Sequence, residues 1–181
     1  MIYTVKELLN SGETAYSIRN KLNKGDLFSI ERGIYSTIKK SYFINESYIS
    51  KKYPNAIFTG ISAFYFYGLT DCPPEYFYVA TKQHSFPIRR QDIKQSYQDE
   101  SFFQIGSTIE SSDDGMIRIY DLERTLIELF RQKEKYPREI YYEVLNSFRK
   151  IKEKLDFYKI NQYLKSFSNG ESILQRIKEA I

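Results

Sequence analysis

Two carboxylates one residue apart, Asp121 and Glu123, follow a Gly106-Ser107 pair after thirteen intervening residues. In nucleotidyltransferase-type sites a Gly-Ser turn holds a triphosphate, and two such carboxylates bind Mg²⁺ from a strand. Here the intervening segment contains a turn at 111–115 where those enzymes have a helix, and Asp121 is suited to cap a helix that starts at the next residue. We therefore predict that Asp121 is an N-cap, that Glu123 lies on a helix surface, and that the protein is not an enzyme. A nucleotide-binding or nucleotidyltransferase-like enzyme is kept as an alternative.

The chain contains one histidine and one cysteine, which restricts metal and nucleophile chemistry. His84 lies in a predicted loop, with no nucleophile or carboxylate that can be placed beside it. Cys72 precedes two prolines and has no His or Lys neighbour, so we expect a half-buried structural thiol. Zinc hydrolases use two or three imidazoles, and cysteine zinc sites use several thiolates. We expect no metal and no cofactor.

The segment from Thr14 to Lys24 predicts an amphipathic helix whose polar face could bind nucleic acid. In a major groove Arg contacts guanine, Asn contacts adenine, and Ser and Lys contact phosphates. A cation at a hairpin tip can approach the backbone or a minor groove. The predicted base-reading or positioning residues are Tyr16, Ser17, Arg19, Asn20 and Asn23, and the predicted phosphate-binding residues are Lys21, Lys24 and Arg32.

Two short helices and a hairpin are predicted to position these side chains. Thr4 and Glu7 form a capping box, Thr14 caps the next helix, and Gly25 ends it. Residues 27–36 contain two short apolar runs around a turn at Glu31-Arg32-Gly33, which indicates a hairpin. This order is that of a winged helix-turn-helix, which we assign to residues 1–40. The residues expected to face its core are Val5, Leu8, Leu9, Ala15, Ile18 and Leu22.

Residues 41–181 predict an α+β domain that ends in a helical bundle. We expect helices at 42–53 and 62–67, strands at 56–59, 76–80, 101–105 and 116–120, and helices after Asp121, Pro137, Asp156 and Gly170. Strands followed by a run of helices favour α+β over a doubly wound sheet.

Length, charge and hydropathy indicate the broad class of protein to which the chain belongs. A chain of 181 residues can bury a core without disulfides. No apolar run approaches the roughly 20 residues that cross a bilayer, and Lys6-Glu7 interrupts the start before a signal peptide's apolar region forms. We expect a cytoplasmic protein with no membrane partner. Residues 1–40 hold seven basic and four acidic side chains, so most of the net charge of +4 lies in the predicted DNA-binding module.

Several segments carry a family resemblance through their order and spacing. They are Gly25–Leu27 with Arg32-Gly33-Ile34-Tyr35, Ser62–Asp71 followed by Pro74, Thr81-Lys82, Asp99–Gly106, and Ile119–Leu129 with its Asp-Leu-Glu-Arg-Thr-Leu sequence. In these segments the chain resembles the AbiEi family, the antitoxin component of AbiE type IV toxin–antitoxin and abortive-infection systems. The resemblance covers essentially the whole chain.

The resemblance implies a DNA-binding repressor that acts on inverted repeats in its own operon, as a monomer or homodimer on double-stranded DNA. It also implies that the protein counteracts a separately encoded nucleotidyltransferase toxin without a stable complex. Family members begin with another helix ahead of the helix pair, for which Met1–Thr4 leaves no room, so we expect the second domain to complete the module's core. A protein-interaction module without DNA binding, built on the aromatic middle of the chain, is a further alternative.

Overall fold

The computed structural model describes residues 1–39, 45–113 and 115–181. By its internal contacts the chain divides into two compact units. The first consists of Met1–Asn55 and Ile109–Ile117, and the second of Ala56–Thr108 and Arg118–Ile181. Within these ranges the structure contains helices and two sheets, which confirms the predicted α+β class.

The first unit combines an antiparallel sheet with short helices. Its elements are β1 (Ile2–Thr4), α1 (Val5–Asn10), α2 (Ala15–Lys24), β2 (Phe28–Glu31), β3 (Ile34–Ser36) and α3 (Glu46–Lys52). The strand order is β1-β3-β2, so the predicted β2–β3 hairpin is confirmed. β1 was not predicted, because three residues are too few to show alternation. The helix predicted at 42–53 is present as α3, and residues 42–44 lie outside the described ranges.

Side-chain caps start both helices of the predicted DNA-binding module. Thr4 Oγ1 accepts from Glu7 N at 3.2 Å and Glu7 Oε2 accepts from Thr4 N at 2.8 Å, which confirms the predicted capping box. Thr14 forms the same reciprocal pair with Ser17. Gly25 ends α2 with a φ of +77°, a left-handed conformation that favours glycine.

The first unit has its own apolar cluster. Leu8, Ile18 and Leu27 are buried at its centre, with Tyr3, Leu22 and Tyr35 packed around them. The predictions that Leu9 and Ala15 face the core are wrong, because Leu9 is 46% exposed and Ala15 is also exposed. Adjacent helical residues point about 100° apart, so a helix as short as α1 presents only a narrow stripe to the core.

The second unit contains most of a mixed five-stranded sheet. The elements in this part of the chain are β4 (Ile57–Phe58), α4 (Gly60–Phe66), β5 (Phe77–Lys82), β6 (Ile93–Gln98), α5 (Glu100–Phe103), β7 (Ser107–Ser112) and β8 (Gly115–Tyr120). The strand order is β6-β5-β4-β8-β7. β5 runs antiparallel to β4 and parallel to β6, and β4 is parallel to β8.

The strand predicted at 101–105 is wrong, because α5 occupies this segment. Asp99 caps this helical turn by accepting from Ser101 N at 2.9 Å. Phe103 is buried, and Phe102 stacks on Phe167 with ring centroids 4.5 Å apart. A short apolar run is compatible with either a helix or a strand. Here the Asp99 cap and the stacking of Phe102 on Phe167 stabilise the helix.

The remainder of the second unit is helical. Its elements are α6 (Leu122–Arg131), α7 (Arg138–Lys150), α8 (Phe157–Leu164), α9 (Gly170–Ala180) and two 3₁₀ turns, Lys133–Lys135 and Lys152–Lys154. α6 packs against α7, α8 and α9, and their shared core includes Leu126, Val144, Ile160 and Ile177. The predicted caps are confirmed, since Asp121 accepts from Arg124 N at 2.8 Å and Asp156 from Lys159 N at 3.0 Å. Within the described ranges no helix has the length and apolar character needed to cross a membrane.

Candidate nucleic-acid interface

The outward face of α2, formed by Tyr16, Arg19, Asn20, Asn23 and Lys24, is exposed. At 100° per residue these positions fall within about 140° of the helix circumference, opposite the buried stripe. The face contains two cations and no carboxylate, since α2 has no acidic residue. In the described part of the chain these five side chains form no hydrogen bond or ion pair. Their donors are therefore free to contact a ligand.

Ser17 and Lys21, also predicted to contact DNA, are already bonded to Glu13. Ser17 Oγ donates to Glu13 Oε2 at 2.6 Å, and the Lys21 ammonium pairs with Glu13 Oε1. The hydrogen bond from Lys21, followed by that from Ser17, holds the pKa of the Glu13 carboxyl below its usual value. The Glu13 carboxylate thus offsets the charge of Lys21, and a phosphate contact by this lysine requires release of that pair.

Arg32 lies in the turn between β2 and β3, where it was predicted. The turn depends on Gly33, whose φ of +83° is left-handed. Gly33 O accepts from Val5 N at 3.0 Å, so the hairpin turn is anchored to the first residue of α1. The Arg32 side chain is exposed and has no bonded partner within residues 1–39, 45–113 and 115–181. It can therefore contact a negatively charged ligand.

Two further cations of the first unit, Lys51 and Lys52, form ion pairs that were not predicted from the sequence. Lys51 pairs with Glu7, and Lys52 pairs with Glu31. Partial burial raises the pKa of Glu7, but the hydrogen bonds from Lys51 and Thr4 outweigh it, and the net pKa is lowered. The hydrogen bond to Glu31 raises the pKa of Lys52. These partners are 44 and 21 residues apart in the chain, so no local pattern predicts the pairs.

The candidate metal and nucleophile residues do not come together. His84 is exposed in a loop, as expected, and adopts a φ of +64°. Cys72 is exposed, so the prediction of a half-buried thiol is wrong. The residue follows a turn and precedes two prolines, a segment that leaves the side chain at the surface. Among the described residues no group of three His, Cys, Asp or Glu side chains is placed to hold a metal ion.

The carboxylates of Asp121 and Glu123 bond to α8. Asp121 Oδ2 accepts from Tyr163 Oη at 2.8 Å and lies 2.9 Å from Lys159 Nζ. Glu123 accepts from Asp156 N and Lys159 Nζ, each at 3.1 Å. Glu123 is only 7% exposed, so its predicted surface position is wrong. Partial burial lowers the pKa of Lys159, but its bonds to the Asp121 and Glu123 carboxylates outweigh this effect, and the net pKa is raised.

We expect Asp121→Ala to lower the free energy of unfolding by about 2 kcal/mol, through loss of the cap and of two bonds to α8. Asp156→Ala is the matched control, since its carboxylate caps α8 through Lys159 N and has no second bond in the described structure. That variant should lose only about 1 kcal/mol. Urea unfolding measures the loss in free energy of unfolding of each variant. Equal losses would contradict a role for Asp121 in joining α6 to α8.

No protein-family model matches the chain, and a search of curated proteins found no match.

Proposed function

We propose that the first unit is a winged helix-turn-helix module that binds double-stranded DNA, with α2 in the major groove and the β2–β3 hairpin as the wing. The protein would act in the cytoplasm as a sequence-specific repressor of its own operon. In this proposal two copies occupy inverted repeats, one on each half-site.

One observation carries this proposal: the outward face of α2 is exposed, free of carboxylates and without bonded partners among the described residues. A solvated helix face on a protein of ordinary charge usually mixes both signs. Here Arg19 and Lys24 accompany two asparagines, which are the side chains that pair with base edges and phosphates. The inner face of α2 packs on the cluster of Leu8 and Leu27, which supports its outward side as a recognition surface.

The family resemblance supports a wider role as an antitoxin. The Arg32–Tyr35 hairpin, the Ser62–Asp71 segment and the Ile119–Leu129 segment occur here in the order that the AbiEi resemblance rests on. We propose that the second unit ends in a helical bundle and that the protein counteracts a nucleotidyltransferase toxin without forming a stable complex with it. Asp121 and Glu123 receive no catalytic role, because their oxygens bond to α6 and α8.

The test is binding to the DNA immediately upstream of the gene, measured by fluorescence anisotropy at several salt concentrations beside a scrambled duplex. We expect the Arg19→Ala/Arg32→Ala variant to lose about tenfold to hundredfold in affinity for the upstream DNA. Each phosphate contact that disappears should also reduce the slope of log affinity against log salt by about 0.9.

Lys152→Ala/Lys154→Ala removes two exposed lysines from the second unit and serves as the matched control. It should leave the affinity within about twofold of the unsubstituted protein. Equal affinity for upstream and scrambled DNA would overturn the repressor proposal. A specific complex that survives the Arg19→Ala/Arg32→Ala change would instead place the DNA site elsewhere on the protein.

A further inference from the structure

A cavity of about 470 Å³ lies on one face of the sheet in the second unit. Tyr78 of β5 and Lys94 of β6 stand side by side in the parallel register, so both side chains emerge on the same face. Thr59, just before α4, and the Lys135-Tyr136 pair, just after α6, complete the wall. This volume falls within the range of about 300–1,000 Å³ that is typical of small-molecule sites.

The cavity wall is positively charged. Lys94 and Lys135 line it, and no Asp or Glu is among its lining residues. Lys94 Nζ lies 4.0 Å from the ring centroid of Tyr76 and 6.0 Å from that of Tyr78, contacts that hold the ammonium group near the aromatic surface without neutralising it. Lys135 is exposed and has no ion pair in the described structure. An anion would therefore meet two cations that have no ion pair among the described residues, although the Glu75 carboxylate acts on Tyr76 and Tyr78 beside Lys94.

Two hydroxyl groups in the wall lack partners. Thr59 is only 6% exposed, and among the described residues its hydroxyl forms no hydrogen bond, not even as a helix cap. Tyr136 Oη likewise forms none in the described ranges. Burial raises the pKa of Tyr136 well above its usual value, so this hydroxyl stays protonated and can donate. Neither oxygen is among the fully buried side-chain atoms that lack a partner, so both hydroxyls remain accessible and can donate to a ligand or a water.

We propose that this cavity binds a small organic phosphate of about the size of a nucleoside monophosphate. Lys94 and Lys135 neutralise the phosphate, and the hydroxyls of Thr59 and Tyr136 donate hydrogen bonds to its oxygens. The ring of Tyr78, which emerges on the same face as Lys94 and lines the cavity, provides an apolar surface for a planar base. A concave site of this volume admits such a molecule but not a DNA duplex.

The test titrates the full chain by isothermal calorimetry with adenosine 5′-monophosphate, inorganic phosphate and adenosine at low salt. We expect the monophosphate to bind, inorganic phosphate to bind more weakly, and adenosine not to saturate. Lys94→Gln/Lys135→Gln should weaken monophosphate binding at least about tenfold, because two charge-assisted contacts are lost. Lys150→Gln/Lys178→Gln makes the same charge change at exposed lysines outside the cavity and should change the affinity less than about twofold.

Amide chemical shifts of the unsubstituted protein give a second readout that needs no variant. The monophosphate should shift Gly60, Tyr97 and Lys135, and leave the outward face of α2 unchanged, which separates this proposal from the DNA-binding one. The proposal is overturned if neither phosphate binds at about 1 mM, if adenosine binds as well as its monophosphate, or if both double variants weaken binding equally. A short DNA duplex that shifts the cavity amides as the monophosphate does would also overturn it.

Discussion

Glu128→Gln should lower the free energy of unfolding by about 3–5 kcal/mol, the largest loss that we expect from a change with almost no difference in side-chain volume. Glu128 and Arg124 are both fully buried on α6, and Arg131 reaches the same carboxylate from one turn later. Removing the negative charge leaves a fully buried guanidinium without its counter-ion. The cost is therefore that of an uncompensated buried charge.

The bonds to both carboxylate oxygens of Glu128 explain the size of this expected loss. Its Oε1 accepts from Arg124 Nε at 3.0 Å, and its Oε2 accepts from Arg131 Nη2 at 2.9 Å and also from the Gln132 side chain. Arg124 Nη2 lies 2.8 Å from Oε1, close enough for an ion pair but outside hydrogen-bond geometry. Arg124 Nη1 donates to the carbonyls of Phe102 and Ile105 at 2.7 and 3.0 Å, which fixes α5 and the turn after it against α6.

The loss should depend on pH in a defined direction. Burial raises the pKa of Glu128, but the two guanidinium groups outweigh it, so the folded-state pKa lies below the usual value of 4.5. Its stabilisation is therefore complete above pH 4.5 and declines as the pH falls through the folded-state pKa. The difference between the unsubstituted protein and Glu128→Gln should narrow in acid.

Urea unfolding followed by circular dichroism, at pH 7 and at pH 3, measures both effects. Glu139→Gln removes the same charge from an exposed position of α7 and should change the free energy of unfolding by less than about 0.5 kcal/mol. A loss at Glu128 no greater than that control, or one that is unchanged in acid, would show that the buried charges are compensated in another way.

Local signals predicted the helix starts because each depends on one or two neighbouring residues. Thr4, Thr14, Asp121 and Asp156 were placed as caps from side-chain type and spacing alone, and all four accept the expected backbone N–H. Gly25 was placed as the end of α2 on the same basis. A cap is a contact within three residues, so the sequence contains all the information that it needs.

Contacts between distant residues could not be predicted in this way. An Arg and a Glu four residues apart are typical of a solvated helix surface, yet Arg124 and Glu128 are fully buried. The rings of Phe102, Tyr120 and Phe167 surround the Arg124 guanidinium. β6 was missed because only Ile93 and Tyr97 are apolar in six residues. The cavity beside it combines residues from β5, β6 and the end of α6, which no spacing rule connects.

The arrangement of the candidate DNA-binding residues could be predicted only in part. The helix that contains seven of these eight residues was predicted, and five of them lie together on its exposed face. The pair that Glu13 forms with Lys21 was not predicted, because Glu13 precedes the helix and the two residues are eight apart. The assignment of all eight residues to DNA contact stays a prediction until binding is measured.

Gly106→Ala should lower the free energy of unfolding by roughly 2–5 kcal/mol, for two reasons that add. Gly106 has a φ of +74°, which costs an alanine about 1–2 kcal/mol. A Cβ at this position would lie 2.4 Å from Arg124 Cβ and 3.1 Å from Asp121 Oδ1. Overpacking of this kind costs about 1–3 kcal/mol more, since the bonds of Arg124 to Glu128 and to two carbonyl groups keep it from moving aside.

Gly68→Ala separates the two reasons. Gly68 has a φ of +63°, close to that of Gly106, but no atom of the described residues lies within 4 Å of the Cβ that an alanine would add. The control should therefore lose only the conformational cost of about 1–2 kcal/mol, and the excess at Gly106 measures the close approach to Arg124. Thermal and urea unfolding of both variants measure the two losses in free energy of unfolding. A loss at Gly106 equal to that at Gly68 would mean that α6 shifts at little cost, and it would argue against a rigid Arg124–Glu128 pair. A larger loss would assign this glycine to the packing of a buried guanidinium, which is a different reason for its presence than the triphosphate-binding turn that Gly106-Ser107 suggests in the sequence.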